Sequence, residues 1–359
     1  MTPAELLEKY AIGERNFSGV DLSWANLSQA DLSDADFWEA NLSGADLSQA
    51  NLAGTNLKSA ILSRTNLTRT TLTAADLRSA DLRDAILQNA NLQNALYDRA
   101  TQFPNDFDPA IARACLIAPQ SVLQKAVLAR MDLSGTDLSR SDLRHANLQQ
   151  ATLFGVSLAQ SNLSTADLQN VDLHEAELDR ATLSGANLSH AKLTYASLQY
   201  VDLSGAALTG ANLTGANLWK ANLFGADLRS AILELTNLQG AVYDSRTQFP
   251  PNYDPNQHGA LLIAPGANLQ QADLRDMSLA GADLMGADLT EANLIAADLW
   301  GANLTEAILT HANLTEVNFT GADLTGANLH DAHLENTNLQ AADLTDAILT
   351  GTGWESGEQ

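Results

Sequence analysis

From Phe17 onward a large apolar residue falls at every fifth position: Leu22, Leu27, Leu32, Phe37, Leu42 and so on to Tyr97. A second run goes from Leu123 to Tyr243 and a third from Leu269 to Leu349, giving 17, 25 and 17 repeats. Every one of these positions holds Leu, Phe or Tyr. Two residues earlier sits a small residue, usually Ala, as at Ala25, Ala30 and Ala35; Met131 and Met277 are the bulkiest exceptions. Between the two lies Asp or Asn, so the unit reads A-[D/N]-L-x-x, with Ser or Thr common after the Leu. A period of five fits neither the 3.6-residue helix nor a continuous strand of period two. It fits a short extended piece followed by a corner. Residues two apart in an extended piece face the same way, so Ala and Leu both turn inward, and Asp or Asn and the two x residues turn out. Four such units close a square coil of 20 residues, and coils stack at about 4.8 Å. The runs then predict about 15 coils, a rod on the order of 70 Å long.

Composition agrees with one small packing problem solved many times. Hydrophobic content is 45% but aromatics are only 5%, and the apolar mass is mostly Leu and Ala. Each buried Leu contributes roughly 1.5–3 kcal/mol gross, against backbone entropy of similar size, so stability has to come from stacking many coils. The net charge is −24. That excludes direct phosphate binding by the whole molecule, since nucleic-acid affinity rests on Lys and Arg displacing counterions. The single cysteine, Cys115, permits no internal disulfide and fits a reducing compartment. No signal-peptide core and no stretch of roughly 20 apolar residues appears, so a cytoplasmic location without a membrane span is expected.

The A-[D/N]-L-x-x run resembles the pentapeptide-repeat family and covers about 295 of the 359 residues. The resemblance implies an all-β fold, a right-handed quadrilateral β-helix. The boundaries are a capping helix in 1–16, repeats in 17–97, an insert in 98–122, repeats in 123–243, an insert in 244–268, repeats in 269–349, and a tail in 350–359.

Thr2, Pro3 and Glu5 read as N-cap, first-turn proline and capping-box acid. Leu6, Leu7 and Tyr10 share a helical face and Gly13 ends it, predicting a helix over 2–12 that covers the open column. At the other end Trp354 follows the last repeat and is placed to fold over it. Between Tyr97 and Leu123, and between Tyr243 and Leu269, the spacing is 26, which is not a multiple of five. These inserts match at a constant offset of 146: Tyr97-Asp98 with Thr101-Gln102-Phe103-Pro104, and Tyr243-Asp244 with Thr247-Gln248-Phe249-Pro250. The match runs on to Leu-Ile-Ala-Pro at 116–119 and 262–265, implying an internal duplication. Asp108-Pro109 and Asp254-Pro255 predict short helices, the second weakened by Gly259. Each insert reads either as a plug where the rod is offset or bent, with Phe103 and Phe249 on the coil, or as a partner-binding loop. The Tyr-Asp…Thr-x-Phe-Pro pattern and the lead-in Glu5-Leu6-Leu7…Tyr10…Gly13…Arg15-Asn16-Phe17 are similar to cyanobacterial members of that family.

The chain nominates no catalytic, cofactor-binding or metal site. Nineteen Asp residues occupy the position before Leu, where Asn serves equally often. Such interchange points to hydrogen bonding and not to a catalytic pair held by a specific partner. His311 and His330 fall on neighbouring coils without a third ligand, and Cys115 reads as a small buried hydrophobe. Residues 20 apart stack, so Lys58 lies beneath Arg78, with Arg64, Arg69 and Arg83 near, forming a basic patch. Tyr200 and Trp219 are neighbours among outward aromatics that include Trp24, Trp38, Tyr195, Phe224 and Trp300. These residues, with Phe103 and Phe249, form the candidate interaction surface; the aromatics serve equally to cover corner backbone or to mediate self-association. Thr305, Thr325 and Thr345 form a further stack.

The expected function is a non-enzymatic scaffold for unidentified protein partners, without cofactor. The family supplies an alternative, because some members imitate duplex DNA and protect DNA gyrase from inhibitors. Those members tend to form dimers through a C-terminal hydrophobic end, so a homodimer stays open here.

Overall fold

A computed structural model describes residues 1–354. The chain divides into two compact units, Met1–Asp167 and Leu168–Gln359. Within each unit the repeats form parallel bridges 20 residues apart, and the bridging positions recur every five residues: Asn16 with Asp36, Asp21 with Asn41, Asn26 with Asp46, Asp31 with Asn51. Each coil therefore has four sides, and the fold is a β-helix.

Four backbone hydrogen bonds recur per repeat, three between coils and one at the corner. The Leu42 amide donates to the Ile61 carbonyl of the next coil (2.8 Å), the Gly44 amide to Ser63 (2.9 Å), and the Asp46 amide donates down to Ala25 (2.9 Å). At the corner, the Ala45 amide closes back on the Leu42 carbonyl (3.0 Å). The second x residue of nearly every corner has positive φ, as in a type II turn: Trp24 at 60°, Arg64 at 61°, Tyr195 at 59°. A non-glycine residue there costs on the order of 1 kcal/mol, and the cross-coil bond of the same residue (Trp24 N–H to Ser43, 2.9 Å) offsets it. At Gly44 the absence of a side chain is used, since a Cβ would lie 2.5 Å from the Trp24 ring resting on it.

The inward column is dry. Leu42, Leu47 and Leu52 are at most 1% exposed, with Ala40, Ala45 and Ala50 between them. Where Thr replaces Ala its hydroxyl is satisfied internally: Thr65 donates to the Leu42 carbonyl (2.8 Å) and Thr70 to Leu47 (2.7 Å).

Helix α1 (Pro3–Ala11) covers the first coil, one residue shorter at each end than the sequence suggests. Both halves of the capping box form: the Glu5 amide donates to Thr2 Oγ1, and the Thr2 amide to the Glu5 carboxylate (2.8 Å). Leu6 is fully buried in the column, and the Tyr10 hydroxyl donates to the Ser33 carbonyl (2.9 Å). At the other end Leu334, Leu339, Leu344 and Leu349 are only partly buried, and Trp354 lines a depression with Leu339, Ala342 and Leu344.

The outward Asp or Asn has one recurrent role along the stack. Its Oδ1 accepts the amide two residues on: Ser23 to Asp21 (2.9 Å), Ser28 to Asn26 (3.1 Å), Ser139 to Asp137 (2.9 Å). Both side chains offer that oxygen, which explains their interchange. The bond also favours the ionised form, so hydrogen bonds from Ser23 and Ser139 hold Asp21 and Asp137 below the usual carboxylate range. Asp227, facing the Arg229 guanidinium, falls to about 2. An unfolded aspartate titrates near about 3.9, so this stabilisation is complete above that pH and is lost as pH falls through 2. Asp227→Asn is expected to flatten the decline of the urea midpoint between about pH 4 and about pH 2, measured by equilibrium unfolding against the parent.

Candidate interaction surface and the two inserts

The last repeats before each insert end in β1 (Leu96–Tyr97) and β3 (Val242–Tyr243). These pair in parallel with β2 (Cys115–Leu116) and β4 (Leu261–Leu262). Between the strands, the duplicated Asp and Thr stand in for missing backbone. Asp98 Oδ1 accepts the amides of Ser79 (2.9 Å), Ala100 (3.0 Å) and Thr101 (2.9 Å). Thr101 Oγ1 donates down to the Leu77 carbonyl (3.0 Å). The second insert repeats this with Asp244 accepting from Gly225 (3.0 Å) and Thr247 (3.1 Å), and Thr247 donating to Leu223 (2.8 Å). In an ordinary corner those groups would meet the next coil.

Aromatic rings follow. Tyr97 meets Phe103 edge-on (5.5 Å between centroids) and Phe103 stacks on Phe107 (5.3 Å). Phe103 and Phe107 pack against the buried column that runs from Leu6 to Ala95. In the second insert Tyr243, Phe249, Tyr253 and His258 form the same series, extended by one ring (5.4, 5.7 and 4.6 Å). The expected helix at Pro109 is absent: Asp108 accepts from Ala110 (2.8 Å) but the segment forms only turns. The 3-10 helix Pro255–His258 does form, capped by Asp254 and ended by Gly259 at φ 82°. Gly259, read from the sequence as a weakness, is the residue that terminates it.

The basic cluster is not one open patch. Lys58, Arg64 and Arg69 are exposed. Arg83 is tied to Asp81 by a two-pronged pair (2.9 and 2.7 Å). Arg78 is only 5% exposed; it holds Asp76 and reaches the Asp132 carbonyl. Tyr200 and Trp219 do meet edge-on (5.0 Å), and both are half-buried. Arg180 lies over the Tyr200 ring (4.3 Å), and buried Lys220 is 5.9 Å from its centroid. These two cations share a 20-residue column with Tyr200, a signal present in the sequence but not used. Phe224 packs inward against the core of the second unit. The most exposed aromatics are instead Trp24 (72%), Tyr195 (61%) and Trp300 (58%).

His311 and His330 lie 6.1 Å apart with Asp331 between them. Among the described residues no group of three or more His, Cys, Asp or Glu is arranged to hold a metal. Cys115 is half-buried, and burial pushes its thiol up. Among the described residues no helix is long and apolar enough to cross a membrane.

The sequence profile described as pentapeptide repeats matches between residues 16 and 96, 121 and 240, and 266 and 351. The chain belongs to the pentapeptide-repeat family. This pentapeptide-repeat protein is similar to the solved structure of alr5209 from Nostoc PCC 7120, with 44% identity over 32% of this chain and 95% of that one (TM-score 0.32). It also resembles HetL, a protein involved in heterocyst differentiation regulation from Nostoc sp. strain PCC 7120, with 26% identity over 98% and 94% of the two chains (TM-score 0.13). Rfr23 from Cyanothece 51142 shares 32% identity over 34% of this chain and 90% of its own (TM-score 0.21). No curated protein matches the chain.

The Asp-Thr anchor gives a direct test. Thr247→Val removes the bond to the Leu223 carbonyl and is expected to cost about 1–2 kcal/mol in urea unfolding, with faster hydrogen exchange at the Gly225 amide.

Proposed function

We propose that this pentapeptide-repeat protein is a non-enzymatic scaffold that binds other proteins through aromatic side chains displayed on its coil corners. We take the β-helix to be right-handed and the setting to be the cytoplasm. The observation that carries the reading is the rigid presentation of Trp24, Tyr195 and Trp300. Each is more than half exposed, and the amides of Trp24 and Tyr195 are bonded to the next coil. A large ring with few free torsions, held on an immobile backbone, loses little entropy on binding and is the common anchor of protein interfaces. In the first unit Lys58, Arg64 and Arg69 add exposed cations, and in the second Tyr200 and Trp219 form a half-buried aromatic pair.

The test compares proteins captured from the native host by the parent chain and by Trp24→Ala, Tyr195→Ala and Trp300→Ala. Each substitution lies outside the buried column, so the β-sheet circular dichroism is expected to be unchanged. Selective loss of captured proteins in at least one variant supports the reading; identical capture by all four overturns it. The acidic surface, on which hydrogen bonds hold Asp21 and Asp137 below the usual carboxylate range, favours mimicry of duplex DNA towards gyrase as a second reading. A supercoiling assay with and without quinolone, unchanged at micromolar protein, removes it.

A further inference from the structure

Both inserts interrupt the backbone ladder in the same way. In an ordinary coil the outward Asp or Asn amide donates down to the coil below. Above the first insert, that bond first reappears at Asp142, which donates to Ser121 (2.9 Å). Above the second, it reappears at Asp288, which donates to Ala267 (2.9 Å). Among the described residues, the four earlier sides, at Val122, Val127, Asp132 and Asp137 and at Asn268, Asp273, Ser278 and Asp283, have no descending bond. The first coil of each new stack therefore rests on only part of the ladder: the Gln120 amide donates to Ser139 (2.9 Å) and the Gly266 amide to Met285 (2.8 Å), but the descending bonds are missing.

A buried cation crosses each gap. Arg78, with a side chain 6% exposed, holds Asp76 and donates through Nη2 to the Asp132 carbonyl (2.5 Å). The contact spans the insert, from a repeat before it to a repeat after it. In the second unit Lys220, 2% exposed, donates to Asp273 (2.8 Å) and to the Arg275 carbonyl (3.3 Å). In each case the acceptor residue sits on a side that lacks its ladder bond.

The two cations are not copies of one another. Under the offset of 146 that relates the inserts, Arg78 corresponds to Phe224 and Lys220 to Ala74. The insert motif was duplicated; the cation was placed separately in each unit. The Asp-Leu-Arg triplet also recurs at 81–83, 142–144, 227–229 and 273–275, where the Arg stays on the surface.

We propose that each insert is a joint between two β-helical stacks and that Arg78 and Lys220 are the latches that fix its orientation. Buried ion pairs are poor sources of stability but select one arrangement among several. The latches thus decide how the surfaces on either side of a joint are presented to a partner, while the columns supply the folding energy.

The full chain in a Cys115→Ser background, spin-labelled at Gln29→Cys and Gln160→Cys, reports the first joint by electron–electron distance measurement. Labels at Ser230→Cys and Glu316→Cys report the second. Arg78→Met with Asp76→Asn removes the first latch without stranding a charge; Lys220→Met alone removes the second, because Asp273 stays paired with Arg275. A narrow distance peak in the parent that broadens or shifts in the matching latch variant, with circular dichroism unchanged, is expected. The surface control Arg144→Met with Asp142→Asn should leave the peak of the first joint narrow. An unchanged peak in the latch variants overturns the proposal. Loss of the β-helical spectrum overturns it too, because the cation would then be a folding element.

Discussion

Each coil is held in register by the one 20 residues later, and everything else depends on that repeat distance. Leu42 donates to Ile61 and Asp46 to Ala25, so no repeat satisfies its own backbone. An extended piece this short has no stability alone, because its few bonds cannot repay the ordering of its residues. Stacking supplies the partners and at the same time dries the column, where Leu47 and Leu52 are fully buried. Hydrogen bonding and apolar burial are thus two readings of one geometric condition.

That condition makes any change in spacing costly, and the inserts show how the cost is contained. Asp98 and Asp244 take over the amides that a regular coil would have received, and Thr101 and Thr247 return a donor to the coil below. The ring series from Tyr97 and from Tyr243 covers apolar surface beside the break. Arg78 and Lys220 then hold a coil whose descending ladder bonds are missing.

Periodicity made the column legible from the sequence, because Leu and Ala at fixed spacing have one solution. The capping box of Thr2 and Glu5 and the duplication of Tyr-Asp…Thr-x-Phe-Pro were equally visible, since each rests on neighbours in the chain. Burial of Arg78 was not visible: its partner is 54 residues away, across a segment whose path no period dictates. Lys220 and Asp273 were hidden for the same reason. The turn at Pro109 and the 3-10 helix at Pro255 begin with the same Asp-Pro pair, and only the residues after it separate them, with Gly259 able to adopt the left-handed end. Tyr200 and Trp219 were placed correctly as neighbours, yet Arg180 and Lys220 flank Tyr200 and leave less of it open than an outward position suggests.

The Oδ1 bond of the outward Asp or Asn carries a consequence for how such a chain evolves. Because either residue supplies the same acceptor, a single-base exchange between them alters the electrical character of the molecule while leaving its scaffold untouched. Formal charge can therefore wander widely among descendants of one ancestor, and a figure such as −24 records lineage history as readily as selection.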